Sequence, residues 1–157
     1  GYGDRAYQLA AHASELWVNP MGGVQLSGPG GNNLYFAGLL QKLGVTANVY
    51  KVGTYKSAVE PYIRSDMSPE ARENAQALAG SLFETWRDDI RKARPKANVD
   101  LALRQPVQLV QASGGDFAAA SQRAGLVDKV GDRRNFEARL AELGGADDKA
   151  PGGFKRI

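Results

Sequence analysis

The sequence contains no cysteine and a single histidine, His12. The absence of thiols excludes disulfides, thiol catalysis and thiolate metal ligands. A zinc site would have to be built from scattered carboxylates, since no HExxH-like spacing occurs. We therefore predict no metal and no other cofactor. Nothing in the sequence specifies a serine and an acid to complete a triad with His12, so a packed or surface histidine is the simplest interpretation.

Long apolar runs are also missing. No stretch approaches the roughly 20 apolar residues that span a bilayer, and no basic segment precedes an apolar one at the start. The 20 basic residues are interleaved with 17 acidic ones, for a net charge of +3, which disfavours a nucleic-acid partner. The hydrophobic fraction of 43% and the charged fraction of 24% are those of a globular protein. At 157 residues, one domain with a genuine core is expected.

Hydrophobic periodicity predicts helices that alternate with short strands. The predicted helices cover 6–13, 34–43, 68–94, 116–124 and 135–143, and the predicted strands cover 15–18, 24–26, 45–52, 107–110 and 126–130. The longest helix has the clearest start, Ser68-Pro69-Glu70, with a capping hydroxyl, proline at the first helical position and an acid in the first turn. Asn32 or Asn33 can cap the second helix, and Gly44 and Gly125 can end helices in the left-handed conformation. The alternation predicts an α/β architecture.

Glycine and polar residues dominate the segment 144–153, which predicts a flexible linker. We therefore divide the chain into a partial domain over 1–143, this linker, and the start of a second domain over 154–157. We expect the native protein to continue into that domain. The first residues enter a helix directly, so the opening strands of the fold are expected to be missing.

The most specific pattern lies between Gly44 and Arg72 and includes Gly53-Thr54-Tyr55-Lys56-Ser57-Ala58-Val59-Glu60-Pro61. It resembles the lysine-bearing segment of the signal peptide peptidase A (protease IV) family. The segments Trp17-Val18-Asn19-Pro20 and Ala124-Gly125-Leu126-Val127-Asp128 are also similar to that family. The resemblance covers nearly the whole chain.

This resemblance implies a Clp protease/crotonase-like fold, incomplete here, and a Ser-Lys dyad that degrades cleaved signal peptides, with Lys56 as the general base. In the long form of the family, the lysine lies in the first of two tandem domains and the serine in the second. The resemblance therefore implies that this chain is the latter part of the first domain, with the C-terminal domain of the same protein as its partner. It also implies a homo-oligomer, attached by an anchor absent from this chain to the bacterial inner membrane and facing the periplasm.

A lysine serves as a general base only when it is neutral. A base that acts near pH 7 to 8 needs a pKa about 3 units below the ordinary value, equivalent to about 4 kcal/mol against the charged form. We expect Tyr55, Ala58, Val59 and Tyr62 to bury Lys56. We also expect a helix that starts near Ser57 to place the positive end of its dipole near the amine, which disfavours the charged form.

No convincing nucleophile accompanies this lysine. In the single-domain form of the family, a Ser-Gly-Gly precedes the Ala-rich helix, whereas Asp4 stands about there in this chain. Ser57 follows Lys56 directly, so the two side chains are expected to diverge, and Ser57 is interpreted as a helix cap or a local hydrogen-bonding group. Ser27, in the glycine-rich loop 27–31, is the internal candidate. That loop lacks both the P-loop ending and the dinucleotide-binding glycine spacing.

Two rival functions remain open. The first is a non-catalytic assembly module that scaffolds a peptidase, with Lys56 merely structural. The second is a crotonase-like acyl-coenzyme A enzyme, since that fold is shared and a fold does not fix a function.

Overall fold

The computed structural model describes residues 1–155. They form two compact units, one made of residues 1–28 and 86–155 and the other of Pro29–Thr85. The helices are α1 (Asp4–Ala10), α2 (Ala37–Lys42), α3 (Glu60–Ile63), α4 (Pro69–Ala93), α5 (Val99–Arg104), α6 (Pro106–Gln111), α7 (Phe117–Arg123) and α8 (Arg133–Gly144); the strands are β1 (Trp17–Val18) and β2 (Lys129–Val130). None of the helices within this described part is long and apolar enough to cross a bilayer.

The first unit contains a small parallel sheet. Trp17 lies opposite Lys129 and Val18 opposite Val130, so the sheet joins segments more than a hundred residues apart in the sequence. Both strands lie inside predicted strand segments. The predicted strand 24–26 is reduced to an isolated parallel bridge between Val24 and Tyr2. The described residues thus form a mixed structure that is mostly helical and has few strands. The structure supports the predicted α/β class to this extent.

The core of the first unit is built around three fully buried side chains, Tyr7, Ile90 and Leu126. They come from α1, from α4 and from the segment before β2. The residues that surround them include Ala11, Leu16, Val18, Val24, Val99, Ala118, Ala120 and Val127. The alanines of α7 permit close packing because they fill little volume.

Local capping chemistry sets several helix ends as predicted. The Ser68 hydroxyl accepts a 3.1 Å hydrogen bond from the Ala71 amide at the start of α4, and the Asp116 carboxylate accepts one of 2.9 Å from the Ala119 amide at the start of α7. Gly125, which follows α7, has φ +70°. The predicted Asn32 or Asn33 cap is wrong, because α2 begins at Ala37 with Phe36 in the capping position and no side-chain cap.

Two strand predictions are wrong. The segment 107–110 lies in α6, where Pro106 occupies the first helical turn. The fixed φ of proline suits a helix start, and this preference outweighs the β-propensity of the valines. The segment 45–52 has no strand structure. A strand requires a hydrogen-bonded neighbour, and none of the described residues pairs with this segment.

The predicted linker overlaps the end of α8. This helix runs through Gly144, and an isolated antiparallel bridge then joins Ala146 to Phe154. Of the predicted start of a second domain, Arg156 and Ile157 lie outside the described residues. The domain division stays a prediction.

Candidate active site

Lys56 lies on a turn in the unit Pro29–Thr85. The turn depends on Gly53, whose φ of +104° is one that L side chains rarely adopt. The Lys56 amide donates to the Gly53 carbonyl oxygen at 3.4 Å. The sequence therefore forms a local loop that presents the lysine between 45–52 and α3.

The side chain of Lys56 is exposed, contrary to the predicted burial. Tyr55 is 57% exposed and its hydroxyl donates to the Glu73 carboxylate at 3.3 Å, so it does not cover the amine. Helix α3 begins at Glu60 and not near Ser57. Across the described part of the chain, no carboxylate or hydroxyl lies in hydrogen-bond contact with the Lys56 ammonium. These 155 residues alone therefore provide neither the desolvation nor the helix terminus expected for a neutral lysine.

Glu60 is the functional candidate that sequence reasoning missed. Its side chain is buried, with 1% of its surface exposed. One carboxylate oxygen accepts from the Ser68 hydroxyl at 2.5 Å and the other from the Ser68 amide at 3.1 Å. These hydrogen bonds hold the pKa of Glu60 below its ordinary value. The available signal was an acid in the lysine motif, eight residues before a strong helix start.

A groove of about 680 Å³ adjoins the lysine turn. Phe36 and Tyr62 stack in one wall with ring centroids 6.3 Å apart, and the Phe36 amide donates to the Pro61 carbonyl oxygen at 2.6 Å. Ser57 and Ala58, which directly follow Lys56, also line it. The remaining lining residues include Leu34, Met67 and Leu78 with the amide side chains Asn32, Asn33 and Asn74. Such a surface suits a peptide with apolar side chains, because the amides can hydrogen-bond its backbone.

Asp4, which stands about where a serine would be expected, has a structural role in the first unit. Its carboxylate accepts from the Ser27 amide at 3.1 and 3.2 Å and from the Gly28 amide at 3.2 Å. It is the first residue of α1, where a negative charge is favourable. Ser27 is exposed, and none of the described side chains forms a hydrogen bond with its hydroxyl. Ser27 therefore has no general base of its own here.

Of the two roles predicted for Ser57, the helix cap is wrong. Val59 occupies the capping position of α3 without a side-chain hydrogen bond. Ser57 instead contributes its backbone carbonyl oxygen, which accepts from the Glu60 amide at 3.0 Å.

His12 is a surface residue, which is one of the two predicted environments. Its Nε2 lies 3.3 Å from an Asp89 carboxylate oxygen, and its side chain is 52% exposed. The same oxygen accepts from the Gln8 amide at 3.0 Å. The hydrogen bond from Gln8, which has the larger effect, and that from His12 hold the pKa of Asp89 below its ordinary value. The pair includes no serine, so it does not form a triad.

Comparison with known proteins gives one consistent answer. The model of peptidase family S49 matches residues 3–147. Protease 4 of Haemophilus influenzae is 37% identical over 153 residues, which is 95% of this chain and 25% of that protein. Protease 4 of Salmonella typhi is 36% identical over 143 residues, 90% of this chain and 23% of that protein. A chloroplastic serine protease SPPA of Arabidopsis thaliana is 27% identical over 99 residues, 63% of this chain and 15% of that protein. The chain thus spans about a quarter of the length of these bacterial relatives.

Proposed function

The chain belongs to peptidase family S49, and on that premise we propose that Lys56 is the general base of a Ser-Lys dyad that hydrolyses cleaved signal peptides. The observation that carries the proposal is the position of Lys56. Its side chain is exposed on a turn whose next two residues, Ser57 and Ala58, line a groove of mixed polar and apolar character, and no ion pair within residues 1–155 holds it. An amine without a carboxylate partner can be made neutral by apolar cover.

The surface around Lys56 supports such cover. Tyr50 and Val52, in the segment that precedes the lysine turn, are 97% and 83% exposed, so this segment presents apolar side chains at the surface. Burial of this patch by another part of the protein or by a second copy would remove water from the amine. The required pKa depression of about 3 units corresponds to about 4 kcal/mol. We propose that assembly supplies the apolar cover that makes the Lys56 amine neutral.

The reaction then follows from a neutral amine. The Lys56 nitrogen takes the proton from a serine hydroxyl as the serine oxygen attacks the carbonyl carbon of the scissile bond. The resulting ammonium gives that proton to the leaving amine, and the C–N bond breaks to leave an acyl ester on the serine. Water, deprotonated by the same amine, hydrolyses the ester and regenerates both groups. We place the serine in the C-terminal domain of the same protein, as the resemblance to the long form of the family implies.

The remaining parts of the proposal concern assembly and place. The Clp protease/crotonase-like fold would be completed by residues outside this chain. The groove beside Lys56 would bind the apolar side chains of a signal peptide. The protein would act as a homo-oligomer, attached to the bacterial inner membrane and facing the periplasm through an anchor outside this chain.

One observation favours a second candidate, the non-catalytic assembly module. The exposed side chain of Lys56 is what a purely structural role predicts. The two candidates differ in what happens when the amine is removed.

Substitution of Lys56 in the full-length protein tests the proposal. Lys56→Ala and Lys56→Arg should each lower kcat/KM for an apolar peptide substrate by about 10²- to 10⁴-fold, the usual contribution of a general base. Arginine fails because it stays protonated. Lys42→Ala is the matched control, an exposed lysine of the same unit that does not line the groove, and should leave kcat/KM unchanged. Near wild-type hydrolysis by Lys56→Ala would refute the general base and favour the assembly module.

A further inference from the structure

We propose that Glu60 is a positioning residue, which fixes the Lys56 turn to the start of α4 through Ser68. This inference rests on the proposed role of Lys56 as the general base. Glu60 lines the groove, but only 1% of its surface is exposed; in the proposed role it acts through the backbone that carries the lysine and not on the reacting atoms.

The junction between α3 and α4 is formed around one carboxylate. Glu60 is 1% exposed and Ser68 is 7% exposed, so water does not compete for their hydrogen bonds. Both carboxylate oxygens are used, at 2.5 Å by the Ser68 hydroxyl and at 3.1 Å by the Ser68 amide. The same hydroxyl oxygen accepts from the Ala71 amide at 3.1 Å. Glu60 is thereby connected to the first turn of the 25-residue helix α4.

The backbone connects Glu60 to Lys56 over a short distance. The Glu60 amide donates to the Ser57 carbonyl oxygen at 3.0 Å, and the Glu60 carbonyl oxygen accepts from the Arg64 amide at 2.9 Å. Only residues 57–59 separate Glu60 from the lysine. A shift of Glu60 therefore displaces the Lys56 turn, and a displacement of about 1 Å is enough to reduce catalysis strongly.

A purely space-filling role does not account for this residue. Burial of a carboxylate is costly unless it is fully hydrogen-bonded, and an apolar side chain of similar size fills a core without that cost. Here the charge lies at the positive end of α4 and accepts two hydrogen bonds from one residue. Glutamine lacks the charge, and its NH2 group would have to donate to the Ser68 hydroxyl oxygen, which already accepts from the Ala71 amide, so the short charge-assisted bond from that hydroxyl would be lost. The chemistry selects a carboxylate at this position.

Steady-state kinetics of the full-length protein test the role. Glu60→Gln should lower kcat about tenfold or more and change KM less than about twofold, since the lysine is displaced and the substrate groove is kept. Ser68→Ala should lower kcat in the same way, and Ser68→Thr, which keeps the hydroxyl, should restore it. Asp116→Ala is the matched control, since it removes a helix cap in the other unit; its kcat should equal that of the wild type. All variants are assayed at a temperature where circular dichroism shows them folded.

The outcomes separate the two proposals. A wild-type kcat in Glu60→Gln overturns the positioning role, and so does a loss of kcat in Asp116→Ala equal to that in Glu60→Gln. In either case, an inactive Lys56→Ala still supports the general base. An active Lys56→Ala refutes the general base itself. If Glu60→Gln does not fold, the two Ser68 variants decide the question. Equal kcat values for Ser68→Ala and Ser68→Thr contradict the positioning role. A kcat that is lowered in Ser68→Ala but not in Ser68→Thr supports it.

Discussion

The Tyr7 hydroxyl donates a 2.9 Å hydrogen bond to the carbonyl oxygen of Leu126, 119 residues away. Both residues are fully buried. The bond joins α1 to the segment that leads into β2, and so it connects the two sequence segments that make up the first unit. Burial raises the pKa of Tyr7 to about 12, because the phenolate would have to lie in an apolar environment.

Removal of this hydroxyl should destabilise the first unit. Tyr7→Phe leaves the Leu126 carbonyl oxygen buried without its donor, which costs about 1–3 kcal/mol. Urea denaturation of the chain, followed by circular dichroism, measures the change in the free energy of unfolding. Tyr50→Phe is the matched control, because Tyr50 is 97% exposed, and it should have no effect beyond error. Equal stability of the two variants would show that the buried bond contributes nothing.

The raised pKa of Tyr7 also predicts a loss of stability in alkali. The phenol keeps its proton to about pH 12 when folded but loses it near pH 10 when unfolded. The unfolded state thus binds fewer protons between these values, and the free energy of unfolding falls as pH rises from 10 to 12. The measurement is the urea midpoint against pH. Tyr7→Phe should show a shallower decline over this interval, and an unchanged slope would contradict the assignment to Tyr7.

Asp128 should stabilise the protein at neutral pH, and its contribution to the free energy of unfolding should be smaller in acid. Its carboxylate accepts from Arg94 at 2.9 and 2.5 Å and from the Leu16 amide at 2.7 Å. The hydrogen bonds from Arg94, followed by that from Leu16, hold the pKa of Asp128 below its ordinary value. Because the unfolded carboxyl takes up its proton first, this stabilisation is present above about pH 4 and is lost as pH falls through the lower folded pKa.

Asp128→Ala should therefore cost about 2 kcal/mol at pH 7, less than a fully buried pair because the aspartate side chain is 39% exposed. The difference from wild type, measured by urea denaturation, should shrink as the pH is lowered below 4. Asp66→Ala provides the comparison, since its pair with Arg64 has side chains 71% and 40% exposed, and should cost about 0–1 kcal/mol. A constant difference at every pH would refute the linkage.

Two glycines with the same backbone conformation should respond differently to alanine. Gly125 and Gly44 follow α7 and α2 with φ of +70° and +72°. A Cβ at Gly125 would lie 2.7 Å from the Lys96 carbonyl oxygen, whereas nothing lies within 4 Å of one at Gly44. Gly44→Ala should cost about 1–2 kcal/mol from the left-handed conformation alone. Gly125→Ala should add about 1–3 kcal/mol of steric strain. Thermal unfolding measures both, and equal losses would exclude the steric contribution.

Local chemistry made several elements predictable. The start of α4 at Ser68-Pro69, the Asp116 cap of α7 and the glycine that ends it depend on residues within one helical turn of each other. The lysine motif could be recognised for the same reason. It is a continuous run of residues, so its recognition requires no knowledge of distant contacts. The match to peptidase family S49 over residues 3–147 confirms the family that this run indicated.

Other predictions failed where a distant partner or a proline decides the structure. The valines of 107–110 favour a strand by themselves, but Pro106 starts a helix there and Leu109 packs into the core. The segment 45–52 alternates as a strand does, and it finds no neighbour among the described residues. Periodicity reports which side chains could share a face, and not whether a hydrogen-bonding partner is present.

The sequence by itself determined the absence of thiol chemistry, the start of α4, the cap and the end of α7, and the motif that singles out Lys56. Only the tertiary structure decided that Lys56 is exposed, that Asp4 binds the amides of Ser27 and Gly28, and that Glu60 is buried against Ser68. The reason is physical. A cap or a turn is stabilised by atoms a few residues apart, whereas burial and the pKa values that follow from it depend on which distant segments exclude water.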